Sequence, residues 1–341
     1  MITVITPTYN RAQYLSQAVD SVMAQTYSDW ELLVVDDNKP DSEARKITAE
    51  VMAHYTDPRI HYIQNEKNIG GAAARNVGIF QAKGDYLAFL DDDDMYLPNR
   101  LEVQYKKMVE NDWDVSVMDG ATYNYETGEK LTERHQQIRN GMTKDELNRA
   151  HLLYHISGTN SFMYKTSFIQ KIGGFDDVPS CQEYILMQKT LDANPKFGYV
   201  PEIHIKNFMH PGDQLSTGPK KLKGQQMLFA NKKKYFYLLT RSERKQVICR
   251  HHGVWISRHS LLSHEVCLFA HKQGLQERPS TFKTLILSRF GIRTFSSVGP
   301  KSAITGVFTA IAICIGALST HTITSQAFTR ATKSFILLVC P

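Results

Sequence analysis

Paired cysteines are missing from this chain. Its 341 residues carry five cysteines, Cys181, Cys249, Cys267, Cys314 and Cys340, an odd number, widely spaced and without a C-x-x-C pair. That pattern argues against a disulfide framework and a thiolate zinc site, and it fits a reducing compartment. No G-x-G-x-x-G follows the first apolar run and no Walker sequence occurs, so a dinucleotide-binding oxidoreductase and a P-loop enzyme both lack support. No charged segment leading into a long apolar stretch precedes the strand-like Ile2–Thr6, and no signal peptide is expected. A clear membrane span is also absent. Residues 302–329 lack formal charge and Ala303–Leu318 is strongly apolar, but the run falls short of the roughly 20 apolar residues a bilayer core requires. Bracketed by Lys301 and Arg330, and followed by a second apolar patch at Phe335–Val339, it is expected to lie on a membrane surface rather than cross it.

What is present is enough apolar sequence for a sizeable core, in a chain long enough for one large domain and a smaller appendage. The net charge of +6 is unevenly spread, with ten Lys and Arg residues between positions 220 and 250 facing Glu243 alone. Such a stretch suits anionic lipid, nucleic acid or an acidic acceptor, or it is a solvated face. The first half alternates apolar runs with helical spacing. Ile2–Thr6, Trp30–Val35, Ile60–Ile63 and Tyr86–Leu90 are strand candidates, and Leu15, Ala18, Val19 and Val22 repeat at helical intervals, as do Ala72–Gln81. This alternation predicts an α/β fold whose mostly parallel sheet is covered on both faces, with ligands beyond the carboxyl ends of the strands. Val115–Met118, a hairpin turn at Glu126–Gly128, Ser157–Tyr164, Phe197–Val200 and Ile203–Phe208 extend the sheet, and Cys181–Leu191 is a helix. Strand signals stop near Ser216, giving expected domains of 1–215 and 216–341, the second helical.

The most telling stretch is Tyr86–Asp94, an apolar strand running into four consecutive carboxylates. Four aspartates at a buried strand end repel one another and resist desolvation unless something strongly positive neutralises them. Oxygen donors of this kind suit a hard divalent ion, Mn²⁺ or Mg²⁺, shared with substrate phosphates.

Four segments in order, Val4–Arg11, Trp30–Asp37, Asn68–Asn76 and Phe89–Asp94, resemble family 2 glycosyltransferases of the GT-A fold over nearly two thirds of the chain. The resemblance implies a Rossmann-like mixed sheet flanked by helices and an inverting transfer from a nucleoside diphosphate sugar, UDP favoured, to a saccharide or lipid-linked acceptor. By the same resemblance Asp37 contacts the nucleotide base with Pro7 and Tyr9 against it, Asp92 contacts the ribose, and Asp91 and Asp93 bind the diphosphate-bound metal. Asp94 is expected to cap the helix after Pro98 or to support the ligands. Arg75 has two readings, a contact to the nucleotide or an ion pair to a nearby aspartate; Asn76 is expected to bond backbone, and Gly70–Gly71 to form a tight turn. Gly173–Asp176 followed by Gln182–Tyr184 resembles the acceptor loop and its base, which places Glu183 as the catalytic base, less elevated in pKa because Gln182 carries no charge. His210 is a further metal-ligand candidate.

Two rivals remain at this point: a haloacid-dehalogenase-type phosphatase using Asp91 and Asp93, whose pattern wants Thr or Val where this chain has Met95, and a non-catalytic nucleotide-sugar-binding protein. No nucleic acid partner is expected, and the cytoplasm, at the inner face of the cell membrane, is the expected location.

Overall fold

The computed structural model describes residues 1–156, 158–210 and 219–256. Elements follow in the order β1 (Ile2–Thr8), α1 (Ala12–Met23), β2 (Trp30–Asp36), α2 (Glu43–Ala53), β3 (Ile60–Gln64), α3 (Gly71–Gln81), β4 (Tyr86–Phe89), β5 (Met95–Tyr96) and α4 (Arg100–Glu110). Next come β6 (Val115–Asn124), β7 (Lys130–Arg134), α5 (Lys144–Tyr154), β8 (Met163–Lys165), α6 (Thr166–Lys171), α7 (Gln182–Asp192), β9 (Phe197–Met209), α8 (Pro219–Lys233) and α9 (Arg241–Ile256). The strands form one mixed sheet in the order β3-β2-β1-β4-β8-β6-β9-β5, with β7 pairing β6. The β3-β2-β1-β4 half is parallel throughout, and β8 enters antiparallel between β4 and β6.

Both faces of the sheet are covered, which is why β1 and β2 are buried along almost their whole length and carry apolar residues on both sides. Alternate residues feed opposite cores. Val4, Leu32 and Ala88 pack with Leu15, Val19 and Leu101 on one side, while Ile5, Val35 and Phe89 pack with Ala74, Ile79 and Leu186 on the other. The parallel register sets Thr8 opposite Asp36 and Ile5 opposite Phe89. Tyr9, Asp37 and the four aspartates therefore emerge at one carboxyl rim.

Three expectations about elements change. Ser157–Tyr164 is not a strand: Ser157 lies outside the described residues, Thr159–Ser161 is a turn of 3₁₀ helix, and only Met163–Lys165 joins the sheet. Asn160 lies in that turn, and its side chain bonds Asp91 N and Asp94 rather than a strand neighbour. Phe197–Val200 and Ile203–Phe208 are a single strand, β9, whose register slips between Val200 and Ile203 because Pro201 has no amide to give the ladder. Helix α5 was not foreseen, although its capping box, Thr143 with Glu146, is written in the sequence as T-x-x-E.

Helix α9 packs on α5 through Val247, and Leu239, in the link between α8 and α9, joins it against Leu152 and Leu153. The expected boundary near residue 216, and the apolar run at 303–318, lie outside the described residues. Among the described residues no helix is long and apolar enough to cross a membrane.

Candidate active site

Beyond β4 the chain tightens so that Asp92 and Asp94 are buried while Asp91 and Asp93 remain partly open. Burial and neighbouring carboxylates hold Asp92, Asp93 and Asp94 above the usual range. Asp92 is pushed up to about 7, first by burial and then by Asp93. Asp93 is raised by burial and by Asp91, with Arg11 and His210 opposing. Asp94 is raised further, again chiefly by burial.

Two arginines meet the cluster. Arg75 Nη2 sits 2.5 Å from Asp91 Oδ1. Arg11 Nη1 is paired with Asp93 and lies 3.8 Å from Asp92 Oδ1. The ion-pair reading of Arg75 is therefore what the geometry shows, while Arg11 did not figure among the sequence candidates. His210 is held between Tyr14 and Tyr125, ring centroids 4.1 and 4.4 Å away, with Nε2 3.6 Å from Asp93 Oδ2. Both of its ring nitrogens are buried without a hydrogen-bond partner. Among the described residues no group of three or more His, Cys, Asp or Glu is gathered as a ready metal site. The arginines explain this, since Asp91 and Asp93 each turn to a guanidinium rather than to one another.

Asp94 is not a helix cap. Its Oδ1 accepts from Phe208 N at 2.7 Å and its Oδ2 from Asn160 Nδ2 at 2.5 Å, tying the acidic turn to β9. Asn160 also accepts from Asp91 N at 2.8 Å and donates to Asn207 Oδ1 at 3.0 Å. One buried amide thus fixes the backbone of the first aspartate and the side chain of the fourth. Behind it Arg100, fully buried, donates to the carbonyls of Asn160 and Phe162 at 3.1 and 2.9 Å.

Asp37 is saturated by the protein itself. Its carboxylate accepts from Asn65 Nδ2, Asn68 Nδ2, Ile69 N and Gly70 N at 2.8 to 3.0 Å, which fills the acceptor capacity of both oxygens. It anchors the Asn68–Gly70 turn, where Gly70 takes φ 89° at the start of α3. Tyr9 stands exposed at the mouth beside half-buried Pro7.

Opposite, Asn76 bonds backbone, as expected, and the partner is Phe175, reached both ways at 2.8 Å, which fixes the Gly173–Asp176 loop. Gly174 must be glycine, with φ 61° and a Cβ that would stand 2.3 Å from Asn76 Oδ1. Glu183 occupies the first turn of α7, raised by burial despite Arg75 and Arg134 nearby. Burial raises it even though Gln182 carries no charge. The turn is braced from behind: His151 Nε2 meets Tyr184 O at 3.1 Å and stacks on its ring, and Lys232 of α8 lies over the same ring. Lys232 Nζ is 2.6 Å from His155 Nε2, whose pKa falls to about 3 through burial and then Lys232, Arg134 and Arg250.

Residues 3–172 match the family model described as Glycosyl transferase family 2. The chain is also 30% identical over 258 residues to the uncharacterized glycosyltransferase MJ1057 of Methanocaldococcus jannaschii, covering 75% of this chain and 84% of that protein. The chain belongs to glycosyltransferase family 2. The phosphatase reading of Asp91 and Asp93 loses its support with that assignment. Another relative is the Escherichia coli UDP-Glc:alpha-D-GlcNAc-diphosphoundecaprenol beta-1,3-glucosyltransferase WfgD, 39% identical over 126 residues. That match spans 37% of this glycosyltransferase and 46% of WfgD, less than half the length of either. S. aureus TarS, solved in complex with UDP-GlcNAc, shares the fold with a TM-score of 0.55 at 17% identity, covering 81% of this chain and 93% of that one.

Proposed function

We propose that this glycosyltransferase moves a sugar from a nucleoside diphosphate donor, UDP favoured, to a hydroxyl of a cell-surface saccharide or lipid-linked acceptor, with inversion. The observation that carries the proposal is the approach of the first turn of α7, which holds Gln182 and Glu183, to the start of α3, where a Cβ on Gly71 would stand 3.8 Å from Gln182 Oε1 and 3.3 Å from the Arg75 guanidinium that pairs with Asp91. UDP is favoured because WfgD is named for a UDP-Glc donor and TarS is seen with UDP-GlcNAc.

The residues fit a divalent ion. Carboxylates on Asp91 and Asp93, with a buried imidazole on His210 3.6 Å from Asp93 and without a hydrogen bond on either nitrogen, are the kind of donors that suit Mn²⁺ or Mg²⁺ once the guanidinium contacts give way. When bound, the ion would stabilise the charge that builds on the departing diphosphate. The chain's own groups do the rest. Asp92 receives the ribose, and Asp37 shapes the base pocket with Pro7 and Tyr9 by holding the Asn68–Gly70 turn. Glu183 takes the proton from the acceptor hydroxyl as that oxygen attacks the anomeric carbon from the side opposite the diphosphate, which inverts the centre. Its raised pKa makes it a better base than an exposed glutamate, and the brace from His151 and Tyr184 holds it in place.

Residues 1–215 would form the catalytic body and 216–341 a helical region, with the apolar run 303–318 attached to the cytoplasmic face of the membrane. Truncation after residue 256 should release the protein from membrane fractions, and no change would remove the attachment. The catalytic reading is tested with Asp93→Asn and a panel of nucleoside diphosphate sugars in Mn²⁺. UDP release should be lost, and undiminished release would sink the assignment.

A further inference from the structure

Arg11 breaks a local rule. It stands at the N-cap of α1 and makes no side-chain capping bond there, where Ser, Thr, Asp or Asn would satisfy the free amides. A cation at this end also opposes the helix dipole. The preceding Asn10 holds φ 55°, a left-handed turn secured by Asn38 Oδ1 on its amide at 2.8 Å. The helix start gives up a side-chain capping bond in this arrangement, and departures of this kind concentrate at functional sites. What the turn achieves is delivery of the guanidinium to Asp93 and Asp92, with Arg11 and Asp93 each only 14% exposed.

We infer that Arg11 is a tethered counter-cation: it holds Asp93 while the site is empty, competes with the divalent ion for that carboxylate, and once displaced turns its donors to the diphosphate of the donor. The inference rests on the reading of Asp93 as a metal ligand and adds a residue that reading did not contain. The charge balance favours it. Asp91, Asp92 and Asp93 would repel one another at close range without a cation, and Arg11 with Arg75 supplies two. A divalent ion on Asp93 makes the Arg11 contact redundant and repels it. A planar guanidinium released beside a pyrophosphate is matched to phosphate oxygens in a way the lysine ammonium is not. Metal and nucleotide then reinforce each other, because each relieves the rearrangement that the other requires. His210 completes the contrast, since in the arginine-held arrangement its nitrogens make no hydrogen bond and Nε2 stands 3.6 Å from Asp93 Oδ2.

The test is a Mn²⁺ titration of the full chain followed by electron paramagnetic resonance, with and without UDP, alongside calorimetric titration of UDP. Without nucleotide, Arg11→Gln should bind Mn²⁺ about tenfold more tightly than the wild type, the scale of one charge-assisted contact. In saturating Mn²⁺ the same variant should bind UDP about tenfold more weakly, for the same reason. Arg11→Lys, which keeps the charge but not the fork of donors, should fall between and serves if the glutamine variant does not fold. Unchanged or weaker Mn²⁺ binding in both variants overturns the inference. Asp93→Asn is the separate control: if it binds Mn²⁺ as the wild type does, the metal reading itself fails.

Discussion

Asn160 is the sharpest point at which to perturb this site. Its side chain satisfies the Asp91 amide, the Asp94 carboxylate and the Asn207 side-chain oxygen at 2.8, 2.5 and 3.0 Å. Asn160→Ala leaves a backbone donor, one buried carboxylate oxygen and one amide oxygen without partners. Each neutral group left bare costs about 1 kcal/mol or more and the charged one about 2, so the sum is roughly 4 kcal/mol before water enters. Relaxation brings the expected loss to about 3 kcal/mol, a large share of the 5–15 kcal/mol typical of a domain. Asn160→Asp is closer in shape and should be worse at pH 8. It keeps an acceptor for Asp91 N but sets a second carboxylate against Asp94, already raised well above its ordinary pKa by burial and its neighbours. The two would share a proton as the pH drops, so the gap between the variants should narrow toward pH 5. Urea unfolding of both at pH 8 and pH 5 measures this. If Asn160→Asp is the more stable at pH 8, Asp94 does not depend on an amide donor and the account of the turn is wrong.

Gly174→Ala should lose about 2–4 kcal/mol, from positive φ and from the clash with Asn76, and a thermal midpoint within a degree of the wild type would show that the loop is not fixed as described. If Glu183 is the proposed base, it works as the carboxylate, and because burial raises its pKa the acid limb of kcat/KM should lie above the ordinary glutamate range; activity is then lost as pH falls through that value, and a limb near pH 4 would exclude Glu183 as the base. His151 and His155 are both held below the ordinary value, chiefly by burial. Below about pH 6.5 the unfolded chain takes up protons that the folded one refuses, so stability falls with pH in that range. The wild type should therefore lose more stability between pH 7 and pH 5 than His155→Gln does, and equal losses would contradict the buried, neutral pair.

The parts of the fold that were legible owe it to local pattern. Strands β1, β2 and β4 are buried on both faces and announce themselves as apolar runs, and the acids at their ends are placed by the parallel sheet. Asn76 and the Gly173–Asp176 loop follow from short motifs. What was hidden depends on chain segments that are far apart in sequence. Arg11 reaches Asp93 across 82 residues, and Asp94 takes the Phe208 amide across 114. Asn160 lies in a stretch whose apolar neighbours mimic a strand, and nothing in its own spacing marks it as the hub of the acidic turn. Tyr14 and Tyr125 look like ordinary helix and turn tyrosines until the fold closes them on His210. Lys232 belongs to a basic run that reads as a solvated face, yet it is buried against Tyr184, and burial pushes its pKa down to about 8.

The central claim is that Glu183 removes the acceptor proton in a sugar transfer whose donor is held across the cleft by the aspartate cluster. Measuring donor affinity and turnover together for Glu183→Gln tests it most directly. The account predicts that the dissociation constant of UDP with Mn²⁺ stays within about threefold of the wild type while kcat falls by roughly 10² or more, the usual contribution of a positioned base. Turnover that survives the substitution with binding intact would contradict it.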